Sequence, residues 1–199
     1  MSSDILDAAL SASAGLATLG ASLKCVVVEV RGTRGTSGTG IIWGGAGLVV
    51  TNAHCAPREA SCQVAANDIR RDASVLAYHP HHDLALLTAP HARGPLWEIR
   101  DPESLRAGEL VFAYGHPLGV NDALAMGVVH GLARDPRSGS ARWVVADVRL
   151  APGNSGGPLV DAEGRLVGIN SMVVNGLGAA IPATVVARFV ERVLARRAA

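Results

Sequence analysis

Ser155 stands in Ala151-Pro152-Gly153-Asn154-Ser155-Gly156-Gly157-Pro158, a serine enclosed by glycines. A hydroxyl is a weak nucleophile at neutral pH. To attack a carbonyl it needs an imidazole that takes its proton and a carboxylate that holds the imidazole in the right tautomer. The stretch satisfies G-x-S-x-G, the nucleophile elbow of α/β hydrolases, in which an acid and then a histidine follow the serine. No histidine follows Ser155: the seven are His54, His79, His81, His82, His91, His116 and His130. The elbow also needs a long helix after its turn, whereas "GPLVDAEGRLVG" reads as a hairpin. The opposite order is present, with His54 in "LVVTNAHCA", Asp83 in "HHDLALL", then Ser155, each beside an apolar run. A Gly-rich hairpin loop is the competing reading of "GNSGGP" taken alone.

Acyl transfer also needs donors for the oxyanion of the tetrahedral intermediate. Glycines free of a Cβ allow the backbone N–H groups of Gly153 and Ser155 to converge on one oxygen, and Pro152 restricts the approach to that turn. His79-Pro80-His81-His82-Asp83 matches the start of a metal-binding H-x-H-x-D motif, but Leu84 stands where the next histidine belongs, so no metal is expected. These histidines, with His91 and His130, read as polar loop positions at a sheet edge. Cys25, Cys55 and Cys62 are odd in number and form no C-x-x-C. Buried thiols are expected, with a Cys55–Cys62 pair as the alternative in an oxidising compartment.

The elements that must hold these residues are short strands. Apolar β-rich runs recur at "KCVVVEV", "TGIIW", "GLVVTN", "SCQVAA", "ASVLAY" and "DLALLTA". A stretch rich in Pro, Gly and charge covers residues 90–109, and six more runs follow: "LVFAYG", "MGVVHGLA", "RWVVADVR", "GPLVD", "RLVGINSMVV" and "LGAAI". Twelve strands in two groups of six, without helices between consecutive strands, predict an all-β protein rather than a doubly wound α/β sheet. Boundaries fall at 1–23 for an N-terminal helical segment, 24–100 for the first β unit, and 101–199 for the second unit with a C-terminal helix. In that helix Val185, Val186, Phe189, Val190, Val193 and Leu194 recur at helical spacing after Pro182.

With 49% apolar residues, 199 residues support a sizeable core, and a net charge of +1 gives no field that would attract nucleic acid. No uninterrupted run of about 18 apolar residues is present, and Asp4 and Asp7 stand where an export signal carries cations. The expectation is a cytoplasmic protein that does not engage a membrane.

The matching residues "SGTGIIW", "GLVVTNAHC", "HHDLALL", "GHPLG", "MGVVHGLAR" and "ADVRLAPGNSGGPLVDAEGRLVGINS", followed by "GLGAAIP", resemble trypsin/chymotrypsin-like serine peptidases, most of all the HtrA/Deg branch. The resemblance implies two six-stranded Greek-key β-barrels with a cleft between them. It implies His54 as general base and acid, Asp83 as the carboxylate that orients it, and Ser155 as nucleophile. Gly153 and Ser155, with Asn154 between them, would form the oxyanion hole. Arg149 would sit at the base of the primary specificity pocket, where it selects an acidic side chain, blocks the pocket, or turns outward by strand alternation. Leu150, Asn170, Ser171, Met172 and Ala179 would contact substrate, with Ala180 beside them. The implied activity is cofactor-free hydrolysis of protein or peptide substrates. Its alternatives are an esterase or a peptide-binding module whose oxyanion loop is ordered by a partner protein or a homo-oligomer. No PDZ domain is expected after the final helix, and the absence of Phe, Tyr and Trp from residues 1–42 removes the aromatic trimer contact of that branch.

Overall fold

The structure is a computed structural model, and it describes residues 3–32, 35–56, 62–66 and 69–198. All twelve expected strands are present. The first six are β1 (Val27–Arg31), β2 (Ser37–Ile42), β3 (Leu48–Thr51), β4 (Cys62–Ala66), β5 (Ile69–His79) and β6 (Leu84–Thr88). The second six are β7 (Leu110–Gly115), β8 (Ala123–Arg134), β9 (Ala141–Asp147), β10 (Pro158–Asp161), β11 (Leu166–Val174) and β12 (Leu177–Pro182). Helix α1 (Ser3–Lys24) precedes them and α2 (Ala183–Ala198) follows.

Each set of six closes into an antiparallel barrel, and the two barrels share one topology. The neighbours run β1-β2-β3-β6-β5-β4 in the first and β7-β8-β9-β12-β11-β10 in the second. Closure removes the unpaired edges that short strands would otherwise expose.

The period of two along each strand divides the apolar residues among three cores. Val28, Val30, Val49, Ala85 and Leu87 fill the lumen of the first barrel. Val111, Ala113, Val144, Leu159 and Val167 fill that of the second. Their strand neighbours Ile41, Leu48, Val50, Leu84 and Leu86 from one barrel, and Phe112, Tyr114, Val160 and Ile169 from the other, form a third layer between the barrels. Small β-branched residues suit the narrow lumens, while the larger side chains span the gap between two curved surfaces. Strands buried on both faces read as continuous apolar runs, which is why their sequence alternates so little.

The connection between the barrels is pinned at both ends. Trp97 Nε1 donates to the Ile42 carbonyl at 2.8 Å. Residues 98–100 then bracket Leu166: its N–H donates to the Glu98 carbonyl at 2.7 Å, and its carbonyl accepts from Arg100 N–H at 2.9 Å.

Ala183, Val186 and Val190 seat α2 in the layer between the barrels, while Leu194, counted in its apolar stripe, is 41% exposed and lies off that contact. Helix α1 packs through Leu23, Leu19 and Leu16 near its C-terminal end and is otherwise exposed. Its 21-residue Asp4–Lys24 segment holds an 18-residue window of mean hydropathy 1.3, so by length and composition it is apolar enough to cross a membrane. No uninterrupted apolar run marks it, because Ala, Gly, Ser and Thr dilute the helix without making it polar. Cys55 and Cys62 are buried free thiols as expected, whereas Cys25 is exposed.

Phe112 is 2% exposed in the layer between the barrels. Phe112→Ala should destabilise the protein by about 3–5 kcal/mol in urea denaturation, because the cavity it leaves is bounded by two rigid barrels that cannot collapse into it.

Candidate active site

Asp83 follows a 3₁₀ turn, Pro80–His82, and adopts φ 52°, the left-handed region that Asp tolerates better than most residues. Its N–H donates to the Pro80 carbonyl at 3.2 Å. Its own carbonyl accepts from Ala53 N–H at 3.1 Å and from Asn52 Nδ2 at 2.9 Å. The "TNAH" segment after β3 and the "HHD" segment before β6 are thereby locked together, and adjacent pairing of β3 with β6 brings them side by side.

The lock aims the side chains at each other. His54 Nδ1 lies 2.9 Å from Asp83 Oδ2 and 3.0 Å from Oδ1, and His54 N–H donates to Oδ1 at 3.2 Å. Ser171 Oγ on β11 donates to Oδ2 at 2.7 Å, a bond that joins the second barrel to this carboxylate. Partial burial disfavours the charge on Asp83, but the hydrogen bonds from His54 and Ser171 outweigh it and hold its carboxyl below the usual range. The same Asp83 bond, aided by Cys55 and opposed by burial, raises the His54 pKa above the ordinary 6.5. Nδ1 is thus engaged with Asp83, leaving Nε2 as the nitrogen available to a reacting group.

Ser155 lies with His54 on a cavity of about 360 Å³ whose walls include Leu150, Gly153, Ser171 and Met172. Ser155 Oγ donates to the Ser171 carbonyl at 3.2 Å, so the hydroxyl rests on β11 rather than on the imidazole. The loop before it is a type II turn: Asn154 N–H donates to the Ala151 carbonyl at 3.0 Å, with Pro152 second and Gly153 third at φ 106°. A Cβ on Gly153 would meet the His116 carbonyl, so both conformation and space call for glycine. The Pro152 carbonyl accepts from Leu118 N–H at 2.9 Å. Carbonyl and N–H point opposite ways across a trans peptide, which turns the Gly153 N–H away from Leu118. Among the described residues, the amides of Gly153 and Ser155 have no intramolecular acceptor.

Thr39, on β2 of the first barrel, was not singled out from the sequence, yet it braces this loop from below. Its Oγ1 donates to the Gly153 carbonyl at 2.6 Å and accepts from His116 N–H at 3.1 Å. Its N–H donates to the Ser155 carbonyl at 2.8 Å, and its carbonyl accepts from Thr51 Oγ1 at 2.6 Å. Gly156 permits this contact, since a Cβ there would strike the Thr39 carbonyl. The only sequence signal was a threonine between glycines in "SGTG", a common pattern in any strand.

The remaining expected site residues divide. Leu150, Ser171 and Met172 reach the cavity beside Ser155. Arg149 is exposed and absent from its walls, the outward alternative. Asn170 is 1% exposed and structural in its contacts: its N–H donates to the Gly157 carbonyl, its carbonyl accepts from Gly156 N–H, and its Nδ2 donates to the Pro158 carbonyl at 2.9 Å. Ala179 and Ala180 are buried in β12 behind the wall. His79, His81 and His82 line a separate cavity.

Residues 38–169 match the family model of the trypsin-like peptidase domain. The chloroplastic protease Do-like 1 of Arabidopsis thaliana is 33% identical over 172 residues, covering 79% of this chain and 39% of that protein. The mitochondrial serine protease HTRA2 of Drosophila grimshawi is 31% identical over 192 residues, covering 86% and 45%. Among solved structures, the HtrA-type protease AlgW with a tripeptide superposes with a TM-score of 0.76 at 27% identity, covering 87% of this chain and 62% of that one. The chain therefore spans less than half the length of these two curated relatives. Relatives reside in chloroplast, mitochondrion or periplasm, which together with the apolar α1 withdraws support from a cytoplasmic location. By the match of its barrels and serine loop, the chain belongs to the trypsin-like peptidase family, with HtrA-type proteases among its relatives.

Proposed function

We propose that this chain is a serine endopeptidase acting on protein or peptide substrates through His54, Asp83 and Ser155. The observation that carries the reading is the Asp83–His54 pair at 2.9 Å, set on the same cavity as Ser155. One unit, residues 24–100, supplies base and carboxylate, and the other, residues 101–199, supplies the nucleophile. On substrate binding, a staggered rotation about the Ser155 Cα–Cβ bond carries Oγ from the Ser171 carbonyl toward His54 Nε2. Neutral His54 takes the hydroxyl proton as Oγ attacks the scissile carbonyl, and Asp83 stabilises the imidazolium. The N–H groups of Gly153 and Ser155 receive the oxyanion, while Asn154 holds the turn between them. His54 then protonates the leaving amine, and water activated by the same imidazole hydrolyses the acyl-Ser155 ester. Peptide backbone would lie along β11 at Ser171–Val173, with its side chain in the pocket walled by Leu150 and Met172. Arg149, turned outward, would act on substrate only outside that pocket.

A second reading, a peptide-binding module awaiting a partner, predicts a collapsed oxyanion loop. The Pro152 carbonyl tied to Leu118, and the resulting direction of the Gly153 N–H, favour the first reading. No cofactor enters this chemistry. The apolar α1 fits an export signal or a membrane anchor, and so a location outside the cytoplasm.

Three results test the proposal. A fluorophosphonate should label Ser155 in the folded chain, and Ser155→Ala should lower casein hydrolysis by about four to six orders of magnitude; an unlabelled serine or undiminished hydrolysis rejects the mechanism. Because His54 must be neutral to accept a proton and its pKa is raised, kcat/KM should climb with pH along a limb centred above 6.5. Asp83→Asn should move that limb down while cutting kcat by about 10⁴. Thr39→Val keeps the shape of the side chain but leaves the Gly153 carbonyl and His116 N–H without their partner. That should cost about 1–3 kcal/mol at the oxyanion loop, read as roughly a ten- to hundredfold fall in kcat/KM with unchanged circular dichroism.

A further inference from the structure

A second cavity, of about 450 Å³, lies where three separate elements meet. The end of β5 and the turn before Asp83 contribute His79, His81 and His82. The β8–β9 hairpin contributes Arg142 and Asp135. Helix α2 contributes Arg188, Arg192 and Arg196. The three helical arginines recur every fourth residue, so they stack roughly one per turn, about 6 Å apart along one face. Like charges at that spacing repel, and a fourth guanidinium across the cavity adds to the repulsion.

Among the described residues, none of these four arginines pairs with a carboxylate, and Arg188 Nε donates only to the Thr184 carbonyl of its own helix. Asp135 is the one carboxylate on the wall among the described residues: the N–H groups of Arg137 and Ser138 hold its Oδ1 at 2.8 and 2.9 Å, and these bonds, with a smaller attraction to Arg142, lower its pKa, so one negative charge faces the four guanidinium groups. Burial, followed by His79, His81, Arg142 and Arg192, lowers the pKa of His82, in keeping with a net positive field. The shape is made by rings: His79 and His82 have centroids 4.6 Å apart, and Phe189 of α2 meets His79 edge-on at 6.1 Å.

The volume falls within the roughly 300–1,000 Å³ of small-molecule sites. Planar guanidinium forks pair two-pronged with phosphate oxygens, and four of them call for several negative charges in a small space. We propose that this cavity binds a compact polyphosphate of two or three linked phosphoryl groups, held by the arginines of α2 from one side and by Arg142 from the other. This site is independent of the serine chemistry, although the turn that forms its wall leads directly into Asp83.

Calorimetry on the full Ser155→Ala chain, which cannot cleave itself, tests it at about 0.15 M salt, where weak surface attraction is screened. Inorganic tripolyphosphate should bind saturably at one site. Arg142→Ala combined with Arg192→Ala, both at exposed positions, should weaken binding at least about tenfold, while Arg197→Ala, outside the cavity walls, should leave it unchanged. ATP in place of tripolyphosphate separates the two sources of this chemistry: tighter binding of ATP identifies a nucleotide, and equal binding identifies a free phosphate chain. Absence of saturable binding, equal weakening by Arg197→Ala, or tighter binding of an acidic decapeptide overturns the proposal. Since the readout is binding by a protein without its serine, the outcome is separate from that of the peptidase reading.

Discussion

His54 and Asp83 hang from one barrel and Ser155 from the other, so the geometry of the site depends on how firmly two closed barrels are held in register. A reacting group displaced by about an ångström loses much of its effect, and neither barrel alone can supply that precision. The apolar layer of Ile41, Leu48, Leu86, Phe112, Tyr114 and Ile169 provides the bulk attraction. Attraction between apolar surfaces has no direction, however, and would tolerate sliding. Two hydroxyls supply the direction. Ser171 reaches from the second barrel to Asp83, and Thr39 reaches from the first barrel to Gly153 and Ser155.

These two contacts work on opposite halves of the proposed chemistry. Ser171 helps keep Asp83 ionised, which in turn fixes the orientation of His54 and raises its proton affinity. Thr39 pulls the carbonyls of the serine loop toward the first barrel, leaving the Gly153 and Ser155 amides without intramolecular acceptors. An unpaired amide in a buried loop is unfavourable, and here that cost is the preparation for binding an oxyanion. The conformation of Gly153 and the crowding around Gly156 are the steric conditions for the arrangement.

Much of the architecture was legible because it depends on local pattern. The twelve apolar runs, the turn residues between them and the amphipathic C-terminal segment each carry their own periodicity, and the strands formed where those runs lie. The order His54, Asp83, Ser155 was equally legible, since a serine without a later histidine excludes one hydrolase order. Side-chain direction was less so. Asn170 was expected to meet substrate but is buried, because register shifts in β11 between Asn170 and Met172 alter the alternation that places side chains on one face or the other. The helical nature of α1 was legible, but its capacity to span or signal was not, because a run of consecutive apolar residues is a poor measure of a helix whose small residues are only weakly polar.

The sequence by itself determined the strand inventory, the candidate nucleophile with its base and acid, and the need for glycine around Ser155, since these follow from residue type, period and chain order. Only the tertiary structure decided which hydroxyls brace the site, which way the Pro152–Gly153 peptide faces, and that Arg149 turns from the cavity. It also decided that histidines near residue 80 and arginines beyond residue 140 share one cavity. The physical reason is common to all four. Each depends on approach between residues far apart in the chain, and closure of two barrels against each other sets those approaches in ways that no local spacing encodes.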